Sequence, residues 1–303
     1  MVTTTESGTV EIGAQIGKWR TVLPVPVTAC GLTSTTLKLS GTPSNTVSTP
    51  AIAVSTGAGD TLECSLHRME MDGAVTLFQG AGGATTTGAK PSADLWATGG
   101  MNAFDAVFLS CEAAPTTGAN PTTLATYAQS GGMVFAEHYQ YSVFDQAPFT
   151  TQNIATWTTG TSFITGTVDA VIEASPTGPG LKQWLPSGIL VNGEVPMLNA
   201  EPAHNATLGT APTLLLAADP SASAPGAPLL FSWSEGGAGS AGGSVVYADF
   251  HVGSASADYG TTPGGTAVPA GATYPTGCVS STALKPAEVV LLYTLFEDLS
   301  CGQ

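Results

Sequence analysis

Two runs of apolar, β-branched and aromatic residues each lead into a histidine. Gly131-Gly132-Met133-Val134-Phe135-Ala136-Glu137 leads into His138, and Ser244-Val245-Val246-Tyr247-Ala248-Asp249-Phe250 leads into His251. The chain holds only four histidines. Imidazole titrates close to neutral pH and is the commonest side-chain metal ligand, so two in matched settings nominate one site for proton transfer or metal ligation. In an open parallel sheet such sites gather beyond the carboxyl ends of the strands. The Gly-Gly turn, apolar strand and sharp exit at His138 have the form of an elbow that lifts one side chain above the sheet edge. Asp249 precedes His251 by two residues; on a strand these share a face, which would let the carboxylate orient the ring. A third run, Val107 to Ser110, ends on Cys111-Glu112. A thiolate beside a carboxylate is disfavoured, which gives Cys111 a structural or disulfide role and leaves Glu112 as the hydrogen-bonding or ligating group. Two imidazoles and a carboxylate suffice for an open zinc-type centre. His138, His251 and Glu112 are therefore the candidate metal ligands and, with Asp249, the candidate catalytic set. Tyr139, Tyr141, Asp60 and Glu137 are the candidate ligand-binding residues around them. His67 reads as a helix-face residue, and His204 stands in a polar loop without a companion.

The elements that must hold these residues follow from periodicity. Thr9 to Ile16, Arg20 to Val27 and Thr35 to Leu39 alternate apolar and polar side chains, as half-buried strands do. Pro24 and Pro26 demote the second to an edge or extended segment. Thr42 to Asn45 and Ser48 to Pro50 read as a linker. The expected division is a β segment over 1–48, a remnant or appendage of a β-sandwich, followed by an α/β domain over 49–303. From Ala51 the texture becomes strand, loop, helix. Ala51 to Val54, Val75 to Phe78, Ala106 to Leu109 and Met133 to Ala136 are short apolar runs suited to buried strands. Asp60 with Glu63 resembles a capping box before a helix carrying Leu62, Leu66 and Met69. Pro121 to Gln129 is a helix, and Pro286 starts another over Ala287 to Leu299. Pro228 to Trp233 and Ser244 to Phe250 form a hairpin, while 150–228 reads as irregular insertions with short strands. The expected class is α/β, a mainly parallel, doubly wound sheet of flavodoxin-like or amidotransferase-like type with a small N-terminal β segment.

Composition narrows the partners. Seven basic residues against 22 acidic give a net charge of −15. Such a chain repels phosphate backbones, which argues against nucleic acid, and it has no basic amphipathic stretch for anionic membranes. No apolar run has the roughly 18 residues of a membrane helix. The expected partner is a small-molecule, glycan or protein ligand, or an upstream domain of the same precursor. Charged residues make up only 10% of the chain, its polarity coming from Thr, Ser, Gly and Pro, a mix common in secreted or cell-surface bacterial proteins. Five cysteines without a Cys-x-x-Cys motif point to an oxidising compartment. Cys278 and Cys301 bracket the last helix and are the expected disulfide; the pairing of Cys30, Cys64 and Cys111 stays open. Met1 to Thr5 lacks the regions of a signal peptide. The chain starts abruptly in β-like sequence, so a longer N-terminus is expected in the precursor.

The histidine-ended strands resemble those of class I glutamine amidotransferases, where a Gly-rich turn and apolar strand lead to a cysteine nucleophile and a later strand ends in a Phe-His-Pro-like motif. Gly131 to Glu137 is similar to the first, and Phe250-His251-Val252 to the second. His138 stands at the nucleophile position and Val252-Gly253 where the acidic partner would follow. The resemblance therefore implies loss of glutamine hydrolysis and sits closer to the ThuA-like branch, in which a histidine follows the corresponding strand. Ile16-Gly17-Lys18-Trp19-Arg20, Gly59 to Cys64, Leu109-Ser110-Cys111-Glu112, Asp249 to Val252 and Leu295 to Cys301 also resemble predicted exported proteins of myxobacteria-like organisms. Those carry a carboxypeptidase-regulatory-like β-domain before an amidotransferase-like one. The resemblance implies a secreted or cell-surface domain that lacks the cysteine nucleophile and binds a ligand or partner. The alternative is a hydrolase, metal-dependent in one form, using Glu112, His138 and His251.

Overall fold

Four-residue apolar runs with β-branched or aromatic side chains at alternate positions can only be satisfied by burial on both faces of a sheet. The computed structural model, which describes residues 6–16, 18–38, 44, 46–80, 86–160, 162–174, 178–197, 200–236, 242–253, 273–279 and 283–301, places them so. Strands β4 (Ile52–Ser55), β5 (Val75–Phe78), β6 (Ala106–Leu109), β7 (Met133–Glu137) and β14 (Ser244–Ala248) form a parallel block in the spatial order β14-β7-β6-β4-β5. Alternate residues feed two cores. Ile52, Val54, Phe108, Phe135 and Val246 face α1 (Leu62–Arg68), α5 (Gly178–Trp184) and α6 (Pro286–Cys301). Ala53, Val107, Leu109, Val134 and Tyr247 face α2 (Ser92–Trp96), α3 (Pro121–Gln129) and α4 (Tyr141–Phe144). The sheet is thus covered by helices on both sides, and the α/β class stands.

Beyond β14 the sheet continues antiparallel through β13 (Pro228–Ser234), β12 (Thr213–Ala218), β9 (Asp169–Ile172) and β10 (Val195–Pro196), nine strands in all. The expected hairpin is the β13–β14 pair, with Leu230 opposite Ala248. Residues 150–228 are more regular than their Thr, Gly and Pro content suggests, because they supply these edge strands and a separate pair, β8 (Ala155–Trp157) with β11 (Ala206–Leu208). The N-terminal segment forms a three-stranded antiparallel sheet of β1 (Gly8–Ile16), β2 (Trp19–Val27) and β3 (Val47–Ser48). Residues 35–38 are not a strand; the third strand lies instead in the stretch read as linker, pairing Thr21 with Val47. Trp19 is buried against Phe296 of α6, ring centroids 4.9 Å apart.

Two links tie α1 to the C-terminal region. Arg68 and Glu288 form a fully buried ion pair. Cys64 is bonded to Cys278 across 214 residues, with Cα atoms 5.4 Å apart, which corrects the expected Cys278–Cys301 pairing. Bracketing a helix in sequence does not bring two thiols together; here α1 packs beside the segment carrying Cys278. A loop of that length corresponds to roughly 5 kcal/mol of loop-closure entropy in the unfolded chain. Replacing Cys64 and Cys278 together by serine should lower unfolding free energy by about 2–5 kcal/mol, read by denaturant titration. A denaturation midpoint unchanged by the substitutions, and unchanged by reductant in the parent protein, would contradict the pairing.

Candidate functional site

Parallel pairing of β6, β7 and β14 brings their carboxyl ends side by side, with Leu109 opposite Ala136 and Glu137 opposite Ala248. The next residues carry the chemistry. Cys111 follows β6, His138 follows β7 and His251 follows β14. His138 sits at the elbow with φ of 33°, in the left-handed region, and opens the 3₁₀ turn His138–Gln140 that leads into α4. A β-carbon in this region costs about 1–3 kcal/mol, strain typical of functional sites. The turn after β4 packs on Cys111: Gly59 N donates to Cys111 O (2.9 Å), and a β-carbon at Gly57 would lie 2.1 Å from that oxygen. Only glycine allows that approach.

The donor atoms converge. Cys111 Sγ lies 3.5 Å from His138 Nδ1, and His251 Nε2 lies 3.3 Å from the same atom. All three donor atoms lie within 4.8 Å of one another, and all three residues are buried. The outward faces of the rings are also attended. His251 Nδ1 is 3.1 Å from Glu201 Oε2, on a half-exposed side chain whose φ is 42°. His138 Nε2 and Asn205 Oδ1 are both buried without a hydrogen bond, yet Asn205 interacts with the ring strongly enough to favour its charged form. A small rotation would let Nε2–H donate to Oδ1. Asn205 is held by its side-chain amide donating to Thr158 O (2.6 Å) and Gly160 O (3.0 Å).

Burial sets the charges. Desolvation, then the neighbouring His251, lowers the His138 pKa to about 3, so its ring is neutral, with a proton on one nitrogen and a lone pair on the other. Burial alone would lower His251 too, but the negative charge and hydrogen bond of Cys111, with Glu201 and Asp60, outweigh it and leave the ring well above its usual range. Its hydrogen bond to His251 holds Glu201 below the usual carboxylate range. Burial and the adjacent Asp60 push Glu137 well above it.

No protein-family profile matches the chain, and no curated protein matches it. Among solved structures, the PurLQS structure from Thermotoga maritima is similar at 12% identity and TM-score 0.40, over 68% of this chain and 89% of that one. A putative ThuA-like protein from Bacteroides uniformis is similar at 11% identity and TM-score 0.38, over 74% and 87%. A cytoplasmic protein from Salmonella typhimurium is similar at 10% identity and TM-score 0.37, over 81% and 85%.

The structure brings His138 and His251 together and adds Cys111, which sequence reasoning had set aside as structural; it is a free, buried thiol. Glu112 is buried beside Gly80 and is not among the three residues whose donor atoms converge. Asp249 does not orient His251. β14 ends at Ala248, so the alternation that would place both on one face has stopped. Asp249 instead accepts from Asn205 N (2.6 Å), and Tyr247 Oη lies 3.3 Å from its other oxygen. Glu201 holds the imidazole in its place, and no local pattern announced it. Tyr139 packs on the His138 ring, centroids 4.3 Å apart, while Tyr141 accepts from Gly160 N; both are buried. Asp60 does not cap α1: the N-cap is Thr61, whose side chain makes no capping bond, and Asp60 points toward Glu137. His67 pairs with Asp72, and His204 lines a separate cavity.

A neutral buried imidazole gives a signed pH effect. His138 has a folded pKa near 3 against about 6.5 unfolded. Its stability contribution is complete above pH 6.5 and is lost as pH falls toward 3, with a slope of up to about 1.4 kcal/mol per pH unit. In metal-free protein, the wild-type-minus-variant difference in unfolding free energy for His138→Asn should shrink from pH 7 to pH 4. A difference independent of pH would contradict the assignment.

Proposed function

We propose that the protein is a hydrolase of the extracellular space built on a zinc-type centre, with Cys111 Sγ, His138 Nδ1 and His251 Nε2 as its protein ligands. The spacing of the donor atoms carries the reading. A tetrahedral zinc ion about 2.3 Å from sulfur and about 2.1 Å from nitrogen sets sulfur–nitrogen edges near 3.6 Å and nitrogen–nitrogen edges near 3.4 Å. Two of the three edges here are 3.5 Å, sulfur to His138 Nδ1, and 3.3 Å, nitrogen to nitrogen, and all three lie within 4.8 Å. A thiolate with two imidazoles suits zinc better than magnesium or calcium. Glu201 at His251 Nδ1 and Asn205 near His138 Nε2 occupy the positions from which outer groups fix ligand tautomers.

Three protein ligands leave one coordination position open, where zinc supplies an activated water near neutral pH. The chain's own groups do the rest. His138 stays neutral and keeps its Nδ1 lone pair aimed at the centre. Glu201, held anionic with its side chain 52% exposed, orients His251 and offers a proton path to solvent. Phe163, 43% exposed, packs tilted against His138 with centroids 5.4 Å apart. An acidic and an aromatic side chain beside the centre would favour neutral or amine-bearing substrates over phosphate esters. Cys111, His251 and Glu201 also follow the order nucleophile, base, orienting acid, but Cys111 is 0% exposed, which favours a ligand role over direct attack. The Cys64–Cys278 disulfide supports an oxidising compartment.

Protein dialysed against zinc should retain one ion per chain by elemental analysis, and cobalt substitution should give a thiolate charge-transfer band absent in Cys111→Ser. Hydrolysis of ester and amide panels should fall by about 100-fold in His251→Ala and return only with metal in the chelated parent. Absence of stoichiometric metal would sink the proposal. A hydrolysis that is insensitive to chelator but blocked by thiol alkylation would replace it with the nucleophile reading, and absence of both metal and hydrolysis would leave a ligand-binding domain.

A further inference from the structure

Behind the three donor atoms lie two carboxyl groups, Asp60 and Glu137, both with no solvent exposure. Asp60 comes from the turn after β4, and Glu137 is the last residue of β7. Val252 N donates to both, at 2.7 Å to Asp60 Oδ2 and 3.2 Å to Glu137 Oε1. Gly253 N donates to both oxygens of Asp60, at 2.9 and 3.1 Å, and Thr61 N donates to Oδ1 at 2.5 Å. Glu137 Oε2 accepts from Cys111 N at 3.2 Å. The pair therefore accepts from the backbone of Cys111 and of Val252, the residue after His251, and Glu137 is itself the residue before His138. One two-carboxyl unit is fastened to all three turns that carry the donor atoms.

We infer that Asp60 and Glu137 form a positioning clamp that sets the mutual spacing of Cys111, His138 and His251. The inference rests on the metal-centre reading above. None of the carboxyl oxygens is a donor atom of the cluster; the clamp positions the turns through their backbone, and the Asp60 charge in addition favours the protonated His251 ring. The two members carry unequal loads. Asp60 receives three backbone N–H groups, from Thr61, Val252 and Gly253, and needs both oxygens as acceptors. Glu137 is the sole carboxyl partner of Cys111 N and only the second partner of Val252 N.

This inequality makes a sharp test. In Glu137→Gln the amide oxygen can take Cys111 N–H while the NH₂ donates to Asp60, and Val252 N keeps its shorter bond to Asp60. In Asp60→Asn an NH₂ must face a backbone N–H, which it cannot accept. Glu137→Leu keeps the volume and removes both functions. Zinc affinity, measured by competition with a chromophoric chelator, should fall by about 10- to 100-fold in Asp60→Asn and Glu137→Leu, and by less than about tenfold in Glu137→Gln. A merely structural role would rank the variants by their unfolding midpoints, so each is also titrated with denaturant. Equal affinity losses in Glu137→Gln and Glu137→Leu, or none in Asp60→Asn, would overturn the clamp. A second readout is independent of metal: the imidazole nitrogen shifts of His138 and His251 in metal-free protein should move in Glu137→Leu, which keeps the Asp60 charge, and hold in Glu137→Gln. Wild type that binds no zinc but shows this shift pattern defeats the metal reading and keeps the clamp. Wild type that binds zinc with the pattern reversed defeats the clamp alone. If Glu137→Leu fails to fold, the contrast between Asp60→Asn and Glu137→Gln decides.

Discussion

Two imidazole nitrogens 3.3 Å apart and a thiol 3.5 Å from one of them face a point walled off from water. Lone pairs that close repel, and in a dry site the repulsion is poorly screened. A proton shared between the rings or a cation at the centre relieves that repulsion, and the surroundings of His251 favour its protonated form. Much of the molecule serves to hold this otherwise unfavourable convergence. The parallel ladder sets the strand ends side by side, the elbow turns His138 inward at a conformational cost, and Gly57 and Gly59 let the β4 turn press against Cys111. The apolar layers on both faces of the sheet supply the stability against which that cost is set.

The loop over 200–205 completes the enclosure by backbone rather than side-chain complementarity. His251 N donates to Ala200 O and Ala203 N to Asp249 O, both at 2.6 Å, while Ile164 N donates to Pro202 O at 2.7 Å. The loop is thus knitted to β14 on one side and to the Phe163 segment on the other. Glu201 and Asn205 come with it as two polar groups at fixed offsets, each assigned to one imidazole. A site of this kind gains precision from the ladder and adaptability from the loop, since a change in loop sequence alters the outer groups without moving the donor atoms.

Sequence made the centre of the fold legible and its edges illegible for one reason. β4, β6, β7 and β14 are buried on both faces, so hydrophobic burial alone marks them. β9, β10 and β12 lie toward the antiparallel edge, where Thr and Pro are tolerated and the pattern fades. Thr35 to Leu39 alternates more loosely than Thr9 to Ile16, and its described residues, 35–38, pair with no strand among the described residues; alternation without pairing makes no sheet. At the site, both histidines were readable because each ends such a buried run. Cys111 was discounted on the charge of Glu112, its neighbour in sequence and not in direction. Glu201 was unreadable because its role depends on a loop crossing the sheet edge from 50 residues away in the chain, and nothing in Asn199-Ala200-Glu201-Pro202 encodes that crossing.

The disulfide has a geometric corollary. Gly253 is fastened to Asp60 and Cys278 to Cys64, so these two points of the chain are anchored four residues apart, one in the turn after β4 and one on α1. A connection between two such neighbouring anchors costs little more as it lengthens: doubling it adds only about 0.6 kcal/mol in closure entropy. One carboxylate and one disulfide thus hold both ends of that connection in register with the sheet, the elbow and the carboxyl pair.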